Sequence, residues 1–223
     1  MRIIFVRHGE PCYEDDSLTA AGLKQADLAA ERLRDEGIEE IWSSPLGRAL
    51  KTAEAASKVL GLPVKTLDFM REISWGSIDD KPVFADGHPW DIADEMARQG
   101  IDLNRPDWRN LSYFTGNRVT DCVSFVESET DKWLADYGYV RKGMYYDHTA
   151  EEDKHHTVAL FCHGGSSSAA IGHILNLPFP YVCAVLHMDF TGITILRMDN
   201  SAGAGTLPCL ELANDCRHLR EIS

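Results

Sequence analysis

Two histidines in this chain each close a short apolar run and each precede a glycine: His8-Gly9 just after Ile3 to Val6, and His163-Gly164 directly after Val158 to Cys162. Such runs read as buried strands. In open α/β sheets ligands bind outside the carboxyl ends of the strands, where helix N-termini present N–H groups and a dipole that favours anions. Arg7 beside the first histidine, and Arg48 in the first turns of a later helix, can aim two guanidinium forks at the same edge. Arginine grips phosphate oxygens bidentately and keeps its charge. Taken singly, each histidine can equally cap its strand, and Arg48 can be a surface residue. Together the four point to an anion site of the phosphate type. A metal site built on His8 and His163 is the weaker reading, because the helical two-histidine spacing of zinc hydrolases is missing.

The elements needed to hold this set are legible. After the first strand, Thr19 caps a helix whose apolar positions Leu23, Ala26, Ala30 and Leu33 stop before Gly37. Ile38 to Trp42 reads as a strand. Ser44-Pro45 then starts a helix carrying Leu50, Ala53, Ala56 and Leu60 to Gly61. Strand, helix, strand, helix implies a parallel sheet. From about 76 to 156 aromatics, prolines and charges alternate, with helical pieces at Asp91 to Gln99 and Asp121 to Tyr137; this segment reads as a cap inserted into one domain spanning 1–223. Glu151 to Lys154 reads as a solvated loop. A small-residue helix from Ser166 to Leu175 follows the second histidine, and Cys183 to Met188, Thr191 to Leu196 and Leu207 to Leu212 have strand composition.

The chain has 223 residues, 35 acidic and 22 basic, for a formal charge of −13. That field disfavours nucleic acid and acidic membranes as partners, yet leaves room for a small anion, since local arginines dominate within a Debye length of about 8 Å. With 44% hydrophobic and 26% charged residues, the expectation is a globular protein with a sizeable core. The four-residue run Ile3 to Val6 is too short for a signal peptide or membrane span, which favours the cytoplasm. Six scattered cysteines without a C-x-x-C pair read as free thiols, mostly buried.

Five spaced motifs carry a family resemblance: Arg7-His8-Gly9-Glu10, Leu18 to Ala26, Ser43 to Ala53 around Arg48, Arg71-Glu72-Ile73 with Gly76, and Cys162 to Gly165. The chain resembles the histidine phosphatase superfamily, the phosphoglycerate mutase-like family. Asn214-Asp215 with His218-Leu219 resembles the C-terminal signature of its broad-specificity phosphatase branch. The resemblance covers roughly residues 1 to 80 and 157 to 220. It implies a three-layer α/β/α sandwich with a mostly parallel sheet and a partly helical cap. It also implies a phosphohistidine mechanism without metal or cofactor: His8 as nucleophile, Arg7, Arg48 and His163 on the phosphoryl oxygens, and Glu72 as acid and then base. Gly9, Gly164, Cys12 and Tyr13 are further candidate phosphate- or substrate-contacting residues. Arg71, next to Glu72 on an extended segment, should face the other way.

Two departures from the family pattern make substrate contacts private to this chain: Pro11-Cys12-Tyr13-Glu14 replaces a hydroxyl and an amide, and Ser77-Ile78-Asp79 replaces an aromatic-Glu-Gly stretch. Trp75, Phe84, Trp90 and Trp108 either line an apolar pocket or form the core of the cap. His155-His156 reads as a pair of exposed loop histidines rather than metal ligands. The expected function is hydrolysis of a small phosphorylated metabolite. Phosphoglycerate mutase-type transfer and a non-catalytic phospho-ligand scaffold are the alternatives. The charge leads to a prediction: a bulky, non-competing salt should raise kcat/KM toward a phosphate dianion or leave it flat, and a steep fall would overturn the argument from total charge.

Overall fold

The computed structural model describes residues 1–151 and 155–221; of the expected solvated loop, Glu152 to Lys154 lie outside the described residues. Strand β1 (Arg2–Arg7) is followed by a short hairpin of two-residue strands, β2 (Pro11–Cys12) and β3 (Ser17–Leu18), then α1 (Ala20–Leu33), β4 (Glu40–Ser43), α2 (Gly47–Leu60) and β5 (Val64–Thr66). The stretch between β5 and the next main-sheet strand supplies α3 (Pro89–Arg98), α4 (Val119–Asp136), β6 (Tyr139–Lys142) and β7 (Tyr145–His148). The chain returns through β8 (Thr157–Cys162), α5 (Gly164–Leu175), α6 (Phe179–Val185), β9 (Ile193–Arg197), β10 (Gly205–Thr206) and β11 (Cys209–Asp215). The main sheet has the order β11-β9-β1-β8-β4-β5, and β10, β7 and β6 make a small separate sheet. Pairing is parallel from β1 through β8 and β4 to β5, and antiparallel where β9 joins β1 and β11.

The central strands are apolar on both faces because both are covered. Ile4 and Val6 of β1 and Ala159 and Phe161 of β8 pack with Ala26, Ala30, Leu33, Ala53 and Ala56 of α1 and α2. Ile3, Phe5, Val158, Leu160 and Cys162 face α3 to α6 in a second core that includes Trp108, Phe114 and Trp133. The result is the three-layer α/β/α sandwich with a mostly parallel sheet that was expected. No single helix among the described residues is long and apolar enough to cross a membrane.

Several local expectations change. The Thr19 hydroxyl does accept the Gly22 N–H at 3.0 Å, but Leu23 is 49% exposed and Gly22, Ala26, Ala29, Ala30 and Leu33 form the buried face of α1. Helix α2 begins at Gly47 rather than at Pro45, and Ser44 turns into the interior. Cys183 to Met188 is no strand: Phe179–Val185 is helical, buries Phe179, Val182 and Cys183, and starts behind Pro178 with Pro180 in its first turn. Strand β5 went unrecognised because three residues, two of them exposed, carry little pattern. All six cysteines are free, but only Cys162 and Cys183 are fully buried. His155 is exposed whereas His156 is half-buried.

Helix α1 lies against the turn after β1 at backbone distance. A Cβ on Gly22 would stand 2.2 Å from the Glu10 carbonyl oxygen, and one on Gly9 would stand 2.5 Å from the Gly22 carbonyl oxygen. Gly22→Ala should therefore lower stability by about 1–3 kcal/mol through overpacking, despite alanine's better helix propensity. Urea unfolding checks this, and an unchanged or raised midpoint would show that the Glu10 backbone yields.

Candidate active site

The parallel pairing of β1 with β8 runs in register to Arg7 opposite Cys162, so the two following histidines leave the sheet side by side. The His8 N–H donates to the Cys162 carbonyl at 3.0 Å, and the imidazole centroids are 5.1 Å apart at 58°. Both rings are buried. His8 Nδ1 lies 2.7 Å from the Gly9 carbonyl oxygen. A carbonyl only accepts, so this network assigns the proton to Nδ1 and the lone pair to Nε2. His163 takes the same tautomer. Its Nε2 lies 2.7 Å from Ser44 Oγ, which also accepts the Leu46 N–H at 3.3 Å. With the Ser44 hydroxyl donating to Nε2, His163 carries its proton on Nδ1. Burial, offset by the Gly9 bond and reinforced by Arg7 and Arg48, lowers the His8 pKa to about 4. Burial, then His8 and the two arginines, lowers that of His163 to about 2. Both are neutral at pH 7.

Arg7 donates through Nη1 to the Met188 carbonyl at 2.6 Å and stacks on Phe190, with Cζ 4.4 Å from the ring centre. Arg48 donates through Nη1 to Asp16 Oδ1 at 2.5 Å. Among the described residues, Arg7 Nε, Arg48 Nε and His163 Nδ1 are buried without a hydrogen-bond partner. A buried donor left unpaired costs about 1–3 kcal/mol. An oxyanion with several acceptor oxygens suits three such donors.

Sequence reasoning expected open helix N-termini at this edge. The structure corrects this at two helices, because the chain supplies its own carboxylates there. At α5, Glu72 Oε1 accepts the N–H groups of Gly165 (3.0 Å) and Ser166 (3.1 Å), together with its neighbour Ile73 (3.0 Å). At α2, Asp16 Oδ2 accepts the Gly47 N–H at 2.6 Å. A Cβ on Gly165 would stand 2.6 Å from Glu72 Oε1, so glycine is what lets the carboxylate reach the helix. Burial raises the Glu72 pKa, against these backbone donors and the two arginines. Since the donors converge on Oε1, Oε2 is the oxygen left to carry a proton. Arg71 is exposed and pairs with Asp68, away from the site.

A cavity of about 390 Å³ opens beside these groups, lined by Arg7, Glu72 and Gly164 with Tyr13, Trp75, His88, Trp90, Ser168, His187 and Met188. Tyr13 and Gly164, named from the sequence as candidate contacts, are both in this lining. Cys12 sits half-buried in the hairpin, outside that lining, and the Gly9 N–H is committed to Thr52 Oγ1 at 3.1 Å. Of the four aromatics, Trp75 and Trp90 line the cavity, Trp108 packs in the core against Phe114, and Phe84 meets Tyr113 at the surface.

Sequence reasoning missed Asp16, Ser44, Met188 and Phe190. Asp16 was readable only as part of the acidic run Glu14 to Asp16. Met188 acts through its carbonyl, which leaves no mark in side-chain chemistry. The C-terminal motif holds its loop: Asn214 bridges the Asp189 backbone (2.9 Å) and carboxylate (2.7 Å), and His218 Nε2 lies 3.0 Å from Thr191 Oγ1.

The family model described as histidine phosphatase superfamily (branch 1) matches residues 3–132, more than half of the chain. The chain belongs to the histidine phosphatase superfamily. A protein named probable phosphoglycerate mutase from Yersinia pestis is 35% identical over 92 residues, covering 37% of this chain and 43% of its own length. This superfamily member therefore matches less than half the length of that relative. Among solved structures, a mycobacterial glucosyl-3-phosphoglycerate phosphatase with VO3 shares 23% identity over 96% of this chain and 98% of its own, with a TM-score of 0.62. Phosphoserine phosphatase from Entamoeba histolytica, solved with 3-phosphoglyceric acid, shares 21% over 98% of each chain, with the same TM-score. At these identities the likeness speaks for the superfamily fold alone.

The buried histidines couple the site to stability. An unfolded histidine titrates near 6.5, so between that value and about 4 the unfolded chain binds the proton that folded His8 refuses. Stability should fall as pH drops through this window, by up to about 1.4 kcal/mol per unit for each such histidine. Glu72, whose pKa is raised, works in the opposite direction. Urea midpoints from pH 7 to 4 check the slope. His8→Gln should flatten it, and an unchanged slope would refute the assignment of His8 as a buried neutral base.

Proposed function

We propose that this chain hydrolyses a small phosphate monoester through a phosphohistidine. The observation that carries the reading is the pairing of one neutral imidazole, its lone pair on Nε2, with three buried unpartnered donors on Arg7, Arg48 and His163. His8 Nε2 attacks phosphorus as the ester P–O bond breaks, and Glu72 gives its proton to the departing oxygen. The three donors hold the phosphoryl oxygens as charge builds on them. Glu72, now a carboxylate, takes a proton from water; the water oxygen attacks phosphorus, the P–N bond breaks, and phosphate leaves. His8 and Glu72 are back in their starting forms. No step of this sequence calls for a metal ion.

Hydrolysis is favoured over transfer to a second phosphoglycerate by the charge of the cavity. Apart from two histidines, Arg7 is its one basic lining residue, and it is already engaged with the phosphoryl group. A substrate carboxylate would have no partner of fixed positive charge. The segment at about 76–156, which contributes His88 and Trp90, serves in this reading as the cap of a single domain. The six free thiols support a reducing, cytoplasmic setting.

Incubation with a labelled phosphomonoester should leave acid-labile, alkali-stable label on His8. His8→Ala should abolish both label and turnover. EDTA should leave turnover intact, and loss restored by a divalent ion would overturn the mechanism. A wild type that turns over no phosphomonoester would favour the scaffold reading. Glu72→Gln should slow esters with poor leaving groups at least about 100-fold, within the usual range for general acids, and activated aryl phosphates far less. Equal losses would remove Glu72 from the acid role.

A further inference from the structure

We infer that the leaving-group side of the cavity is an aromatic subsite selecting phosphate esters of a flat, uncharged aromatic alcohol, an aryl or arylmethyl phosphate; the inference rests on hydrolysis at His8. Trp75, His88 and Trp90 form a three-ring wall, with centroids 5.3 Å (Trp75–His88), 6.1 Å (Trp75–Trp90) and 5.3 Å (His88–Trp90) apart. All three line the same cavity as Arg7 and Glu72. The wall begins at the phosphoryl position: a methyl group placed on Gly164 would lie 3.5 Å from the Trp90 ring and 3.8 Å from the Arg7 guanidinium carbon. A ring attached to the ester oxygen directly or through one carbon therefore reaches Trp90.

Trp75 remains 37% exposed, whereas Trp108 is 2% exposed. A half-open indole wall in a cleft is surface that a flat apolar group can cover, with edge and face contacts that add to simple burial. Charge points the same way. His88 Nδ1 lies 3.0 Å from Asp91 Oδ2, and an adjoining cavity shares Trp90 and His187 and adds Asp91 and Asp94. Asp94 is paired with Arg98, so it is Asp91, facing His88, that disfavours a second anionic group on the side that welcomes a neutral ring.

Non-hydrolysable phosphonates separate binding from chemistry. Wild type should bind phenylphosphonate roughly tenfold more tightly than methylphosphonate, by calorimetry, a gap in keeping with aromatic contacts of this kind. Trp90→Ala should reduce the gap to about twofold with inorganic phosphate affinity unchanged, while Trp90→Phe should retain most of it. Trp75→Ala, at a partly exposed ring, gives a second reading if Trp90→Ala fails to fold. In turnover, benzyl phosphate should exceed n-propyl phosphate, whose leaving group is similarly basic, by about the same factor in kcat/KM, with 3-phosphoglycerate below both. Equal phosphonate affinities, or a gap that survives both alanine variants, would overturn the subsite. If no ester is hydrolysed but the phosphonate gap is present, the hydrolase reading falls and the subsite stands. Hydrolysis without any gap does the reverse.

Discussion

Everything at the site hangs on one pairing: β1 and β8 lie side by side, parallel, with Arg7 opposite Cys162. That register brings His8 and His163 out of the sheet at the same level, and the His8 N–H extends the ladder by one bond to the Cys162 carbonyl. A slip of one residue would move one ring along the strand by about 3.3 Å and turn it to the opposite face. The alternation of Ile3 and Phe5 against Ile4 and Val6, packed into two different cores, opposes such a slip. The packing of the central sheet and the geometry of the two imidazoles are thus one constraint seen at two scales.

Around that pair the electrostatics are arranged by subtraction. Glu72 and Asp16 occupy N–H groups at the starts of α5 and α2, which would otherwise attract anions. The remaining donors are the guanidinium groups and one imidazole N–H. The cost of holding Arg7 and Arg48 buried is reduced by the Met188 carbonyl, the Phe190 ring and the Asp16 carboxylate. Each arginine keeps an unpaired Nε, so the protein carries a local unmet demand for acceptor oxygens inside a chain of net charge −13. The total charge governs approach over long distances; these few donors govern what is held.

The central sheet was legible because buried parallel strands write themselves as unbroken apolar runs, and the site because histidine-glycine pairs at the ends of two such runs have few other uses. Legibility failed where the deciding contact was not written in side-chain type. Cys183 to Met188 looks like a strand by composition, yet a short apolar run carries no period of its own, and the prolines just before it open a helix that buries Cys183. Ser44 has the chemistry of a helix cap, but its hydroxyl serves His163 and the helix starts three residues later. The choice between pocket and core for these tryptophans was undecidable by residue type, and the structure divides them: Trp90 and Trp75 to the cavity, Trp108 to the core.

The C-terminal motif shows how far from the reacting atoms the site is assembled. Asn214 adopts a positive φ of 44°, a conformation asparagine tolerates better than most residues. From there its amide bonds both the backbone and the carboxylate of Asp189. The anchored loop turns at Thr191, whose N–H donates to the Arg7 carbonyl at 3.0 Å, and presents the Met188 carbonyl to the Arg7 guanidinium. Both ends of Arg7 are therefore held by a loop whose own anchor lies on the edge strand β11. An antiparallel edge added to a parallel sheet does more here than cover an exposed strand. It closes a path from Asn214 through Asp189 and Thr191 to Arg7, fixing the orientation of a long side chain before any anion arrives, so that less rotamer entropy is lost on binding.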